Sequence, residues 1–349
     1  IVGEVEETFC EVVEAWTAHP GVSLGTVQGL ALPPAEGAAG DLAPSDVRRT
    51  GLRPRLQNLD ALPFPAWDLV DVERYRAAWT GAHGRLSWNM VTSRGCPYGC
   101  NWCAKPVFGR RYSQRSPADV AEELRLLKTE VRPDHVWFAD DIFGLTPAWI
   151  EAFAEQVTRR GARTPFTIQS RVNLMKPRTV AALEEAGAEE VWLGVESGSQ
   201  RILDAMEKGT RIEQVREATR NLKGRGIRAC WFIQLGYLGE SLEDLERTRD
   251  LILEERPDEI GVSVSYPLPG TPFFDTVRSH LNGKRNWEET DDLDMLFHGT
   301  YTTAFYKWVR DLLHDEVDGY REGGGPLDER WAGLRAEEGR HRNPAVVAG

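Results

Sequence analysis

The chain has 349 residues, a formal net charge of −12 and 41% hydrophobic residues, which is enough to bury a large core. The acidic balance disfavours broad electrostatic attachment to nucleic acid. Of the five cysteines, three lie within residues 96–103 and the other two stand alone, which disfavours a disulfide framework and indicates a reducing cytoplasm. No stretch approaches the roughly 18 uninterrupted apolar residues of a membrane span, and no signal peptide precedes the first predicted helix.

The first 85 residues predict little regular structure. Residues 1–20 indicate the end of a strand followed by one amphipathic helix. The chain begins with Ile, and "IVGEVEETF" is typical of the middle of a domain, so we expect further sequence upstream. Residues 21–65, rich in Gly, Ala and Pro, predict an irregular connector within a linker over 21–85. Cys10 and Cys230 have apolar sequence neighbours and are expected to be inert packing residues.

From residue 86 short β-branched and aromatic runs alternate with helical patterns. The predicted strands are LSWNMVTS (86–93), HVWFAD (135–140), FTIQS (166–170), EVWLGVES (190–197), IRACWFIQLG (227–236) and EIGVSVSYP (259–267). Strands that alternate with helices are typical of parallel βαβ units. We therefore predict an α/β fold, a partly open (βα)6 relative of the eightfold TIM barrel, over residues 86–285.

The intervening helices carry start and stop signals. Ser116–Pro117 and Thr146–Pro147 pair an N-cap with a first-turn proline, and Ser241 with Asp244 predicts a capping box for a helix through Leu251. Glycines 161 and 187 are expected to end two helices. A helix over 301–317 and a Gly-rich, charged end from 321 to 349, expected to be mobile, make up a C-terminal extension from residue 286.

The stretch "TSRGCPYGCNWCAKP" (92–106) places Cys96, Cys100 and Cys103 in the loop after the first predicted strand. A structural zinc site closes with four ligands, and this loop has neither a fourth cysteine nor a histidine. An iron–sulfur cubane has four irons, so three thiolates leave one iron open to another ligand. The spacing favours a three-thiolate cluster, with a zinc site and unligated cysteines as the alternatives.

Polar or Gly-rich sequence follows each of the later predicted strands. Because the carboxyl ends of parallel barrel strands share one rim, these residues are expected to converge. A purely structural barrel would also end its strands in polar sequence, so the pattern alone does not decide between the two. The residues concerned are Asp140, Asp141, Gln169, Ser170, Arg171, Glu196, Ser197, Gly198, 236–240 and 267–270.

The cysteine motif, with Trp102 just before its last cysteine and five further predicted strands behind it, resembles that of the radical S-adenosylmethionine (SAM) enzymes. The resemblance implies a [4Fe-4S] cluster on Cys96, Cys100 and Cys103 whose open iron binds SAM. It implies reductive cleavage of SAM to a 5′-deoxyadenosyl radical that abstracts hydrogen from a small-molecule substrate, with the protein supplying placement. An electron donor of the flavodoxin or ferredoxin type is the partner that follows.

"FADDIF" resembles the Asp-Asp version of the second-strand motif in cobalamin-associated members, which assigns Asp140 or Asp141 to the methionyl ammonium. "GVESGSQRILDAMEKGT" resembles the fourth strand and following helix of the same branch. That likeness places Glu196 and Ser197 near the ribose or amino-acid moiety and Lys208 at the carboxylate. A solvated helix-end lysine is the alternative for Lys208.

Three further residues complete the cofactor-binding candidates. Gln169 and Arg171 follow the third strand, and Arg171 could equally form a structural ion pair with a rim carboxylate. "LGYLGES" departs from the usual Gly-x-Pro-Gly-Glu at Leu238, so Gly236 is the candidate for the turn that meets adenine. The resemblance thus implies this set of cofactor-binding residues: Trp102, Asp140, Asp141, Gln169, Arg171, Glu196, Ser197, Lys208 and Gly236.

The N-terminal residues resemble the exit of a Rossmann-like cobalamin-binding domain and its linker, through "GEVEETF" and "LDALPFPAWDLVDVERYR". Val5 stands where a second glycine is commoner, and none of the seven histidines lies in the Asp-x-His-x-x-Gly that would supply an axial ligand. We expect residues 1–20 to be the remnant of such a domain, with cobalamin bound in a longer parent protein.

Three functions follow from these patterns. The first is a radical enzyme that methylates carbon or forms a ring on a small organic or natural-product substrate. The second is a tRNA-modifying enzyme like the methylthiotransferases, although no extra cluster cysteines or RNA-binding barrel are visible after residue 285 and the basic run "GRRYSQR" (109–115) is short. The third is a metal-stabilised binding module without catalysis.

Overall fold

The computed structural model describes residues 1–19, 22–34, 47–104, 108–281, 283 and 293–343. Parts of the predicted connector, of the cysteine loop after Ala104 and of the C-terminal extension lie outside these residues. The chain divides into two compact units. The first unit comprises Ile1–Pro63, Arg94–Pro97 and Lys105–Gln114, and the second comprises Phe64–Ser93, Tyr98–Ala104 and Arg115–Gly349.

The first unit contains α1 (Glu6–Ala18) and the short antiparallel strands β1 (Ala31–Leu32) and β2 (Arg48–Arg49). The amphipathic helix is confirmed, but the predicted strand end before it is wrong, since residues 1–5 form no strand. Cys10 is exposed on α1, so the expectation that it packs in a core is also wrong.

The second unit is built on a six-stranded sheet within the described residues, in the order β10-β9-β8-β7-β6-β3. Every neighbouring pair is parallel, so the predicted partial (βα)6 barrel is confirmed. Consecutive strands lie side by side because each crossover helix returns the chain to the same end of the sheet. The bounds of the strands outside the first two are β3 (Ser87–Met90), β4 (Ser93–Arg94), β5 (Ser113–Gln114), β6 (His135–Phe138), β7 (Phe166–Ser170), β8 (Ala188–Glu196), β9 (Arg228–Leu235) and β10 (Glu259–Val264).

Helices connect and cover these strands. The helix α2 was not predicted, because its region was assigned to the irregular linker. The helices after α1 are α2 (Val72–His83), α3 (Pro117–Glu130), α4 (Pro147–Arg160), α5 (Pro177–Ala186), α6 (Gln200–Ala205), α7 (Ile212–Lys223), α8 (Leu242–Glu255), α9 (Pro272–Val277), α10 (Thr303–Arg321) and α11 (Asp328–His341). Short 3-10 helices span Leu24–Thr26, Leu59–Ala61, Trp67–Leu69, Val172–Leu174 and Arg278–His280.

The helix ends follow the cap signals of the sequence. The Ser116 and Thr146 hydroxyls accept hydrogen bonds from the third backbone N–H of their helices, and Ser241 and Asp244 form both bonds of the capping box. Gly161 and Gly187 end α4 and α5 in the left-handed region, at φ 62° and 110°. Only glycine enters that region without steric cost, which explains why both helices end there.

The core lies between the sheet and its helices. Phe138 and Phe166 on neighbouring strands meet Phe153 of α4 and Phe143 at ring-centroid distances of 5.0–6.2 Å. All four rings are fully buried, and each contributes about 1.5–3 kcal/mol relative to exposure. The α3–α4 half of the barrel is thereby fixed to the sheet.

A cluster of polar side chains lies near the starts of strands β8, β9 and β10, at the opposite end of these strands from the predicted rim. The sulfur of buried Cys230 and carboxylate oxygens of Glu190 and Glu259 lie within 4.8 Å of one another. The Arg228 guanidinium pairs with both carboxylates, which identifies the cluster as an ion-pair network. Burial here raises the pKa of the Cys230 thiol, in agreement with its predicted inert role.

His135 begins β6 and is buried. Its Nδ1 lies 2.8 Å from the Ser87 hydroxyl and its Nε2 lies 2.9 Å from the Thr167 hydroxyl. Burial lowers the pKa of His135 to about 4, so at neutral pH the ring is uncharged and joins β3 to β7 through neutral hydrogen bonds.

The predicted mobile tail is wrong over Asp328–His341, which forms α11. Trp331 and Leu334 of this helix are fully buried, and Arg249 of α8 lies 5.1 Å above the Trp331 ring. Arg249 also pairs with buried Glu316 of α10 at 2.6 Å.

Of the helices in the described part of the chain, none combines the length and the apolar character that a membrane crossing requires.

Candidate functional site

The cysteine loop starts at a residue that only glycine can occupy. Gly95 has φ +79°, and a Cβ there would overlap the carbonyl oxygen of Arg111. Cys96 follows and is partly exposed, while Cys100 is buried and Cys103 is partly exposed. All five cysteines of the chain fall within the described residues, and none forms a disulfide.

Asn101, between the second and third loop cysteines, anchors the loop to the barrel. Its side-chain amide donates to the Ala205 carbonyl at 2.8 Å and its Oδ1 accepts from the Tyr237 hydroxyl at 3.1 Å. Its backbone N–H donates to the Met206 carbonyl at 3.1 Å. These bonds hold Cys100 and Cys103 against the ends of α6 and β9.

Asp140 accepts hydrogen bonds from the turn that precedes the cysteine loop. Its Oδ1 accepts the backbone N–H of Thr92 at 2.9 Å and the Ser93 hydroxyl at 2.7 Å, and its Oδ2 accepts the Thr92 hydroxyl at 3.1 Å. Burial raises the pKa of Asp140 to about 6, against the lowering by these donors. Both oxygens are therefore used to fix the turn that precedes the cysteine loop, whereas Asp141 next to it is exposed.

Arg171 follows β7 and lies beside the loop. One guanidinium nitrogen, Nη1, lies 3.5 Å from the Cys100 sulfur, and the guanidinium carbon lies 3.7 Å from the centre of the Tyr98 ring. Among the residues that the structure describes, no carboxylate pairs with Arg171 at salt-bridge distance, so they give no support to the alternative of a structural ion pair.

Lys208 and Glu196 form a buried ion pair. Their side chains are only 6% and 7% exposed, and the Lys208 ammonium lies 2.6 Å from Oε1 of Glu196. The ammonium also lies 5.8 Å above the Trp102 ring. The alternative of a solvated lysine is wrong, because the Lys208 side chain is buried and its ammonium contacts Glu196 and the Trp102 ring. The backbone carbonyl of Lys208 accepts a hydrogen bond from Nη2 of Arg171.

Ser197, another predicted cofactor residue, is used to dock the loop after β8 onto α8. Its hydroxyl lies 3.4 Å from the Thr248 hydroxyl and accepts the Ser199 backbone N–H at 3.1 Å. Gly198 packs so closely that an added Cβ would lie 2.5 Å from the Thr248 Cα. These contacts explain the Ser-Gly-Ser sequence as a packing requirement.

Gly236 follows β9 at φ +75° and donates its N–H to Oε2 of Glu240 at 2.6 Å. An added Cβ would lie 2.8 Å from the terminal methyl of Met295. Glu240 is completely buried, and this burial raises its pKa to about 8, so the carboxyl is mostly protonated at neutral pH. The turn expected to meet adenine is thus held by the neutral carboxyl group of Glu240, a member of the predicted rim range 236–240 for which no separate role was predicted.

Several buried polar atoms at the carboxyl ends of the strands have no hydrogen-bond partner among the described residues. Ser170 closes β7, Gln234 lies in the last two residues of β9, and Ser265 follows β10. Trp102 and Glu240 each contribute one more such atom. Buried polar atoms are nearly always hydrogen-bonded in native proteins, so this edge of the sheet is suited to a polar ligand. Gln169, also predicted, lies partly exposed on the same edge.

The donor set fits a cluster better than a single zinc ion. Among the described residues, the group of three or more Cys, His and acidic side chains whose ligand atoms all lie within 4.8 Å of one another is Glu190, Cys230 and Glu259, not the loop cysteines. A closed zinc site requires four ligands around one ion. Three cysteines on one loop, with a cation instead of a fourth anionic ligand beside Cys100, match the requirement of a cluster with one open iron.

Comparisons with known proteins show which family and fold the chain is similar to. The family model of the radical SAM superfamily matches residues 90–252. An uncharacterized methyltransferase of Pyrococcus horikoshii is 30% identical over 294 residues, 84% of this chain and 61% of that protein. An anaerobic magnesium-protoporphyrin IX monomethyl ester cyclase of Cereibacter sphaeroides is 27% identical over 80% of this chain and 44% of its own length.

A solved structure shows the same fold. The radical SAM methyltransferase TsrM from Kitasatospora setae, solved with cobalamin and a [4Fe-4S] cluster bound, superposes with a TM-score of 0.65 at 21% identity, over 80% of this chain and 55% of that chain. The present chain spans about half the length of the relatives it matches.

Proposed function

Because this chain belongs to the radical SAM superfamily, we propose that Cys96, Cys100 and Cys103 hold a [4Fe-4S] cluster and that the carboxyl edge of the sheet binds SAM. When bound, this cluster supplies the electron that cleaves SAM to a 5′-deoxyadenosyl radical, which abstracts hydrogen from the substrate. The observation that carries the proposal is the contact of Arg171 with the Cys100 sulfur, together with the buried Lys208–Glu196 pair beside the ring of Trp102 in the same loop.

Different residues at the carboxyl edge of the sheet are suited to different parts of SAM. Lys208 is suited to the methionyl carboxylate, with Glu196 holding the ammonium in place when no ligand is bound. Asp141 is suited to the methionyl amino group, since both oxygens of Asp140 are already hydrogen-bonded. The backbone turn at Gly236 is suited to adenine, and Gln169, Ser170 and Gln234 provide polar atoms at the same edge.

The proposed reaction class is supported by the similar proteins, which include two methyltransferases and a cyclase. We propose methyl transfer to carbon or oxidative ring formation on a small organic substrate, in the cytoplasm, with electrons from a flavodoxin- or ferredoxin-type donor. Residues 1–20 are proposed to be the end of a cobalamin-binding domain, because TsrM was solved with cobalamin bound. No feature of the residues that the structure describes favours the tRNA-modifying alternative.

Anaerobic reconstitution with iron and sulfide tests the proposal. We expect about four irons per chain and release of 5′-deoxyadenosine from SAM after reduction with dithionite. The Cys100→Ala variant is expected to lose both, whereas Cys10→Ala, which removes an exposed thiol on α1, is expected to keep both. A colourless protein that binds one zinc per chain would overturn the proposal in favour of a binding module.

A further inference from the structure

Arg171 makes a contact that recognition of SAM does not require. Its Nη1 donates a hydrogen bond to the Cys100 sulfur across 3.5 Å, and both residues are buried, at 6% and 7% exposure. A guanidinium stays charged at every pH at which proteins fold. The sulfur of one proposed cluster ligand therefore faces a permanent positive charge in a region from which water is largely excluded.

The guanidinium is held in place on every side that does not face the sulfur. The Tyr98 ring covers one face at 3.7 Å, Nε donates to Oδ1 of Asn173 at 3.2 Å, and Nη2 donates to the Lys208 carbonyl oxygen. Asn173 in turn donates to the Tyr98 hydroxyl at 3.4 Å. These partners are uncharged, so they fix the orientation of Arg171 without neutralising its positive charge. When the Cys100 thiolate is a cluster ligand, the guanidinium therefore interacts with a negatively charged sulfur.

We infer that Arg171 is a positioning residue that raises the one-electron reduction potential of the cluster through its hydrogen bond to Cys100. The inference rests on the proposed function. Reduction adds one electron, supplied by the external reductant, and places more negative charge on the thiolate ligands; no bond to Arg171 forms or breaks. A hydrogen-bond donor and a positive charge stabilise the more negative, reduced form, and hydrogen bonds to ligand sulfurs are among the factors that set these potentials.

The test is a redox titration of the anaerobically reconstituted full chain, followed by the optical and electron paramagnetic resonance signals of the cluster. The Arg171→Gln variant is expected to lower the equilibrium constant for reduction about tenfold, which corresponds to about 59 mV for a one-electron couple. The matched control is Arg178→Gln, because the Arg178 side chain is 71% exposed and pairs with Glu151 on the surface. The control is expected to titrate as the wild type does.

An Arg171→Gln variant that holds the wild-type amount of iron and titrates at the wild-type potential would overturn the inference while leaving the proposed function intact. A wild-type chain that binds no iron would overturn both. If Arg171→Gln fails to hold iron, the potential of Arg171→Lys is measured instead, because lysine keeps the positive charge but lacks the planar guanidinium that donates to the Cys100 sulfur. Its potential is expected to fall below that of the wild type, and an unchanged potential would contradict the inference.

Discussion

The Lys208 ammonium lies 2.6 Å from Oε1 of Glu196, and neither side chain is more than 7% exposed. Glu196 adopts φ +68°, a conformation that costs a residue with a side chain about 1–3 kcal/mol. Gly194 leaves the space for the pair, because a Cβ at that position would lie 2.6 Å from the Lys208 ammonium. Strain at one partner and a glycine beside the other are both explained by the need to place these two charges at the edge of the sheet.

The first prediction concerns this pair. Lys208→Met should lower the free energy of unfolding by about 3–5 kcal/mol, because it leaves the Glu196 carboxylate buried without a partner. The double variant Lys208→Met with Glu196→Gln should recover most of that loss. Urea unfolding measures both effects.

The control for that prediction is Lys176→Met, which breaks a 2.6 Å pair with Glu217 that is nearly half exposed. Exposed pairs contribute about 0–1 kcal/mol, so this variant should unfold close to the wild type. Equal losses at 176 and 208 would show that the Lys208 ammonium is solvated after all.

The second prediction concerns Gly198, whose added Cβ would lie 2.5 Å from the Cα of Thr248. Backbone cannot yield as a side-chain tip can, so Gly198→Ala should separate the loop after β8 from α8 and cost about 1–3 kcal/mol. Gly319→Ala in α10, where nothing lies within 4 Å of an added Cβ, should instead stabilise by about 0.5–1 kcal/mol. Thermal unfolding of the two variants should therefore shift in opposite directions.

Local sequence patterns were sufficient to predict the helix ends and the order of the strands in the sheet. Cap hydroxyls such as Ser116 and left-handed glycines such as Gly187 act through bonds to residues a few positions away, so the sequence alone contains the whole interaction. The sheet order followed for the same reason, since each βαβ unit limits where the next strand can lie.

The features that the sequence did not predict depend on contacts between residues that are far apart in the chain. Asp140 and Asp141 were the two candidates for the methionyl ammonium, and the sequence did not indicate that the oxygens of Asp140 accept hydrogen bonds from Thr92 and Ser93, 48 and 47 positions earlier. The tail beyond Arg321 reads as charged and Gly-rich, yet Trp331 is buried against Arg249, 82 positions earlier. Neither contact produces a hydrophobic period or a helix-cap motif in the sequence, so neither could be predicted from local sequence patterns.

The third prediction tests that tail. Trp331→Ala should cost about 3–5 kcal/mol, as truncation of a buried aromatic side chain does, because the indole is fully buried and covers Arg249. Trp16→Ala on α1 is the matched control, since Trp16 is 60% exposed. Urea midpoints that fall equally for the two variants would indicate that α11 does not pack on the barrel.

The fourth prediction is a pH dependence from Glu240, whose pKa burial raises to about 8 from an ordinary value near 4.5. A carboxyl with a raised folded-state pKa binds its proton more tightly when folded. Its contribution to stability is therefore complete below pH 4.5 and is lost as the pH rises through 8. The free energy of unfolding should fall across this range with a limiting slope of about 1.4 kcal/mol per pH unit.

Glu240→Gln should remove that slope, since a glutamine oxygen can still accept the Gly236 N–H and carries no proton that titrates. Glu217→Gln, at a surface pair, should keep the wild-type slope. Urea unfolding at several pH values between 5 and 9 makes the comparison, and an unaltered profile in Glu240→Gln would mean that the carboxyl is already ionised in the folded protein.

The last prediction separates two adjacent aspartates and rests on the proposed binding of SAM. Asp141→Asn should weaken SAM binding to the reconstituted, unreduced protein about tenfold or more, because a charge-assisted hydrogen bond contributes about 1.5–3 kcal/mol. Its stability should be unchanged, since Asp141 is exposed. Asp140→Asn should instead lower the free energy of unfolding by about 1–3 kcal/mol, because an amide N–H₂ would replace one of the oxygens that accept from Thr92 and Ser93. Calorimetric titration with SAM and urea unfolding measure the two effects separately. Wild-type affinity in Asp141→Asn would exclude that carboxylate as the partner of the methionyl ammonium.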